Sequence, residues 1–144
     1  MRTTSRRAQK RDLTHLTRVL ASGERTFKAK YPPLTAAFQE LQLSTGQNVA
    51  PALSAIASFE RAVNDEVHKL RALQLHSAKG ERGRQLAVET LTAMRQSFVS
   101  LHTAISSHNS SHAERALKEA KRHLATGRDL MARTSETVGV RWRL

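Results

Sequence analysis

The chain of 144 residues contains no cysteine. Structural disulfides, thiolate metal sites, thiol nucleophiles and iron–sulfur clusters are therefore excluded. Aromatic residues make up only 4% of it, so binding of single strands by base stacking lacks its platform. No apolar run reaches the roughly 18–20 residues that a membrane span needs, and no apolar signal-peptide core follows the start. There is no P-loop, no dinucleotide fingerprint and no Gly-x-Ser-x-Gly elbow. The first eleven residues carry no acid.

What is abundant is positive charge. Twenty-four Lys and Arg stand against twelve Asp and Glu, a formal net charge of +12. Charge of this size speaks of partners and solubility, not of fold. Along the sequence it concentrates at the two ends. Residues 1–31 hold nine basic and two acidic side chains, residues 109–144 hold eight and four, and the middle is nearly balanced at seven and six. An Arg-rich, acid-poor start resembles an organelle transit peptide. Ala8 is the only apolar residue between Arg2 and Arg11, so residues 1–11 read instead as a solvated basic arm.

The apolar residues recur at helical spacing. Between Val49 and Leu75, residues Leu53, Ile56, Phe59, Val63, Val67, Leu70 and Leu73 form one stripe, the pattern of a helix buried along one side. This segment reads as the central helix. Before it, Leu13, Leu16, Leu20, Gly23 and Phe27 make a heptad seam, and Pro32-Pro33 is expected to end that helix. Leu34–Leu43 reads as a short helix, Asn48 as the N-cap of the central one, and Gly80 and Gly83 as its stop. A third helix is expected over 84–107 on Ala87, Leu91, Met94, Phe98, Leu101 and Ile105. A fourth is expected on Ala113, Leu117, Ala120, Leu124, Gly127, Met131 and Thr134, opened by a capping box of Ser111 and Glu114. The sequence thus predicts one all-α domain over 1–144: an antiparallel bundle of four long helices, one short helix in the first crossover, and a tail at 139–144.

Chemistry-bearing patterns are few. His108 and His112 are four apart, but a helix break is expected between them and no carboxylate stands nearby at useful spacing. Asp65 and His68 make half of a bundle-type metal site with no second half. No metal and no cofactor is expected. HEPN-type ribonucleases are helical bundles of similar size with an Arg followed, after four to six residues, by a His. Arg61 with His68, Arg71 with His76 and Arg95 with His102 satisfy that spacing, about as many pairs as composition alone predicts. Arg95 and His102 are the pair such a ribonuclease would use, since polar Gln96 follows the Arg.

The basic residues carry the main reading. Arg11, Arg18 and Arg25 repeat every seven residues on the outward side of the first helix. Arg115 and Arg122, also seven apart, face outward on the last helix with Lys118 between them. With the first and last helices side by side they would form one positive face, extended by Arg2, Arg6, Arg7 and Lys10 at the start and by Arg141 and Arg143 at the end. Such a face binds polyanions largely without sequence preference. Trp142 and Leu144 read as a partner anchor, since Trp is a favoured hot-spot residue, or as a cap folded back on the bundle. The expected function is that of a non-enzymatic structural or interaction subunit. It would be intracellular, not secreted, and belong to a larger assembly. Its partner would be an acidic protein surface or a nucleic-acid backbone; a membrane is disfavoured because the arm lacks an apolar face to insert. The alternatives are a HEPN-like ribonuclease and a non-specific nucleic-acid binder.

Overall fold

The computed structural model describes residues 6–144, and among them every regular element is a helix: α1 (Arg6–Leu43), α2 (Ala50–Ala72), α3 (Ala78–Ser106) and α4 (Ser110–Val138). The fold is an all-α helical bundle. No helix among the described residues is long and apolar enough to cross a membrane. The basic arm expected over 1–11 falls partly outside the described residues, Arg2 included. Arg6, Arg7, Lys10 and Arg11 belong to α1 itself.

The separate short helix expected after Pro32-Pro33 is absent, because α1 runs through both prolines to Leu43. Two missing N–H groups leave the carbonyls of Lys28 and Ala29 without helical partners. Lys28, Ala29, Pro32 and Pro33 are all exposed, so these carbonyls meet water. The opposite side holds the helix in place. Phe27 stacks on Phe59 at 6.1 Å, Tyr31 lies 5.2 Å from Phe59, and Lys30 Nζ donates to Ser58 Oγ at 2.8 Å. Tertiary packing along one side thus overrides the proline signal on the other.

Gly80 and Gly83 do not stop a helix either; both are buried inside the first turns of α3. They permit close approach. A Cβ on Gly80 would stand 2.7 Å from the Cβ of Asp12, and one on Gly83 would stand 3.0 Å from Val138 and 3.1 Å from Leu16. The true stop of α2 comes earlier, at Leu73. There the Leu73 amide donates back to the Leu70 carbonyl, and the Arg84 guanidinium donates to the carbonyls of Leu70, Arg71 and Leu73. The N-caps move as well. Asn109 Oδ1 accepts from the His112 amide at 3.1 Å, and Ser77 Oγ accepts from the Gly80 amide at 2.9 Å. Val49 begins α2 with no side-chain cap.

The core is built on Leu16, Leu20, Phe27, Phe59, Val63, Leu70, Leu91 and Met94, so the seams expected on the first three helices hold. On α4 the expected seam holds at Ala120, Gly127 and Thr134 and fails at its two leucines. Ala116, Ala120, Gly127, Thr134 and Val138 are buried, whereas Leu117 and Leu124 are about two-fifths exposed. The reason is a close approach to α3 through small residues. Thr90 Oγ1 and Thr134 Oγ1 meet at 3.3 Å, and Ser97 Oγ donates to the Ala120 carbonyl at 2.9 Å. Consequently α4 lies chiefly against α3 and meets α1 only marginally.

Two glycines separate these packing modes. Gly80→Ala drives a methyl into the buried Asp12 side chain and is expected to destabilise the fold by about 1–3 kcal/mol. Gly127→Ala places its methyl 3.6 Å from Ala93 and Met94, an ordinary contact, and gains helix propensity worth up to about 1 kcal/mol. Urea melts of the two variants should move in opposite directions.

Candidate polyanion interface

The level at which two helices meet follows from their pairings. Asp12 meets Ser77 and Gly80, Gly23 meets Glu66, and Lys30 meets Ser58, in descending order from the start of α3 back into α2. Likewise Thr90 meets Thr134 and Ser97 meets Ala120, while Gly83 lies against both Leu16 and Val138. One end of the bundle therefore holds residues 6–18, the α2–α3 turn and the C-terminal end of α4 with its tail. The other end holds the α1–α2 and α3–α4 turns.

This geometry divides the expected basic face in two. Arg6, Arg7, Lys10, Arg11 and Arg18 share the first end with Arg141 and Arg143, and all seven are exposed. Arg25 lies about 10 Å further along α1. Arg115, Lys118 and Arg122 do not join them, because Arg122 stands sixteen residues, or about 24 Å, along α4 from Val138. Arg122 is also committed to an ion pair with Glu119. The side-by-side arrangement of first and last helices needed for a single face is not what holds α4, which rests on α3.

In place of the α4 group, the structure brings in basic residues that the near-neutral middle of the sequence concealed. Lys69, Arg71, Lys79 and Arg82 flank the α2–α3 turn and are exposed beside the N-terminal half of α1. Taken together, residues 6–18, 69–84 and 133–144 carry thirteen Lys and Arg against three Asp and Glu. Among the described residues, neither these four nor the seven Lys and Arg of the termini form an ion pair. Arg133 is paired with Asp129 at 3.1 Å, and Arg84 with Glu81. No sequence signal sets the four turn residues apart, since acids elsewhere in the middle stretch balance them in number.

A buried carboxylate assembles this end. Asp12, 1% exposed, accepts from the His76 amide at 2.9 Å, the Ser77 amide at 2.7 Å and Ser77 Oγ at 2.5 Å. Burial by itself would raise its pKa. The hydrogen bonds from Ser77 Oγ and the His76 and Ser77 amides outweigh that and hold the carboxyl below its ordinary range. A second acid, Glu66, is 3% exposed and sits against Gly23, where a Cβ would stand 2.5 Å from its Cδ. Its Oε1 has no hydrogen-bond partner. Burial pushes its pKa up to about 7, with Lys69 opposing.

The tail caps the bundle. Gly139, at φ 80°, turns the chain back in the left-handed conformation that glycine adopts without strain. The Trp142 amide then donates to Ser135 Oγ at 3.1 Å, and the Leu144 amide lies 3.4 Å from Met131 Sδ. Trp142 is 3% exposed and belongs to the core. An anchor for a partner must be accessible, so Trp142 does not serve as one in this conformation; its indole packs inside, and Leu144 is half-buried against the same core.

Arg95 and His102 are both exposed on α3. They are separated by about two helical turns. His102 Nδ1 lies 3.5 Å from Ser106 Oγ. No group of three or more His, Cys, Asp or Glu among the described residues is placed to hold a metal ion.

The two buried acids leave opposite marks on stability. The folded chain keeps a proton on Glu66 that the unfolded chain releases above about pH 4.5, so stability falls as pH rises from about 4.5 to about 7. At about 1.4 kcal/mol per pH unit the decrease amounts to about 3 kcal/mol. Glu66→Gln should abolish this dependence. Asp12 acts the other way: its contribution is present above the ordinary carboxylate value of 3.8 and disappears as pH falls through its lower folded value. Urea melts from pH 2 to 8 on the parent and Glu66→Gln check both signs.

No protein-family model matches the chain, and comparison with curated proteins and with solved structures yields no match.

Proposed function

We propose that this chain is a non-enzymatic structural or interaction subunit whose basic end binds an acidic partner, either an acidic protein assembly or a nucleic-acid backbone. The helices are taken to run antiparallel, as the descending residue pairings support. One observation carries the proposal: exposed Lys and Arg from the N-terminal half of α1, the α2–α3 turn and the C-terminal tail converge on one end without forming ion pairs among the described residues. Self-repulsion within such a cluster opposes folding, and a polyanion relieves it. The site is poor in aromatics, which suits charge neutralisation of a backbone and not stacking on bases.

The test is binding to labelled duplex DNA, RNA and poly-glutamate across a salt series. Affinity for duplex should fall linearly in log–log salt. Replacing Arg11, Arg18, Arg82 and Arg143 together by Gln should flatten that slope by up to about 0.9 for each phosphate no longer neutralised. Replacing Arg115, Lys118 and Arg122 by Gln should change it much less. Binding of poly-glutamate but neither nucleic acid assigns an acidic protein partner. Cleavage of the RNA that disappears in His102→Ala would replace this reading with the ribonuclease.

A further inference from the structure

The bundle has a second pole of different character. Residues 31–60 and 96–122 hold four Lys and Arg against four Asp and Glu, and the pairings described above bring most of these two stretches to the end away from the chain termini. There α4 rests on α3 and leaves its seam with α1 open. The result is a groove of about 440 Å³ lined by Phe38, Leu41, Val49, Leu101, Ile105 and Leu117. Beside it Leu43, the last residue of α1, is 83% exposed, the most exposed large apolar side chain among the described residues. Glu114 on the lining is the groove's acidic member, and Glu40 accepts from the Asn48 side chain nearby.

We propose that this groove seats a second copy of the chain, Leu43 of each copy entering the groove of the other about a two-fold axis. Two observations select this occupant. Copies at +12 repel one another over most of their surface; the pole where four bases are balanced by four acids is where they can approach. A projecting apolar side chain and an apolar groove also lie at the same end of one molecule. Two-fold pairing requires that self-complementarity, since each copy then offers and receives the same contact. The arrangement directs the two basic ends away from each other, so the dimer would present two separated polyanion sites and bind a long polyanion multivalently.

Sedimentation equilibrium of the full chain at about 5–200 µM, where a weak association populates both species, tests the proposal. The mass should rise from 16.1 kDa toward twice that value. The dimer should strengthen with added salt, which screens repulsion between the copies. This is the opposite sign to polyanion binding, so the two proposals fail independently. Leu43→Glu and Leu117→Lys should each weaken the dimer at least about tenfold, as truncation of a central interface residue does, with unchanged helical circular dichroism. Leu124→Lys, exposed on α4 outside the groove lining, should leave it intact. A parent that stays monomeric at the highest concentration and salt overturns the proposal, as does a dimer indifferent to both groove variants. Saturable uptake of a small apolar dye by a persistent monomer overturns it too and assigns the groove to a small ligand.

Discussion

The Asp12 carboxylate is the contact on which the rest of this architecture depends. It lies in α1, yet its three hydrogen bonds come from the two residues that lead into α3. A buried carboxylate is costly unless its lone pairs are satisfied, and here amides at the head of a helix satisfy them, where the dipole also favours negative charge. Gly80 supplies the space. The same contact fixes the level of α1 against the α2–α3 turn, and Arg84 ties that turn to the end of α2. Everything at the basic end inherits its position from this junction.

Charge segregation follows from that junction together with chain direction. Arg11 and Arg18 are distant in sequence from Lys79 and Arg82, but the Asp12 contact places them at one level. Arg141 and Arg143 arrive there because Gly83 lies against both Val138 and Leu16 and Gly139 folds the tail against Ser135. Asp12 offers little relief to this concentration of like charge, because it is buried and engaged by the turn. Glu66 is a different case. Gly23 makes room for it, no donor meets its Oε1, and its raised pKa makes it a weak point of the α1–α2 interface above neutral pH.

Much of the fold was legible from the periodicity of Leu16, Leu20, Phe27, Phe59, Val63, Leu70 and Leu91, because burial along one helical side leaves a repeat of three and four. The boundaries were less so. Pro32 and Pro33 signal a break by their own chemistry, and only the packing of Phe27 and Tyr31 on Phe59 explains why the helix continues. Gly80 and Gly83 resemble stops, while their function is close approach, which depends on Asp12 and Leu16 from elsewhere in the chain. The basic site was half legible. Arg6, Arg7, Lys10, Arg11, Arg18, Arg141 and Arg143 stand out as terminal charge. Lys69, Arg71, Lys79 and Arg82 lie in a stretch whose acids balance it in number but not in space. On α4 the periodicity marked Ala120, Gly127 and Thr134 correctly, but the place of Ala116 in the seam and the exposure of Leu117 and Leu124 were hidden, because small residues carry little hydrophobic signal however closely they pack.

The basic end is best probed by an amide-resolved NMR titration with a short DNA duplex, or with poly-glutamate where the duplex does not bind. The perturbed amides should fall in residues 6–18, 69–84 and 133–144 and leave 110–125 nearly unmoved. Perturbation centred on Arg115, Lys118 and Arg122, or spread evenly along the bundle, would contradict a polyanion site built by the Asp12 junction.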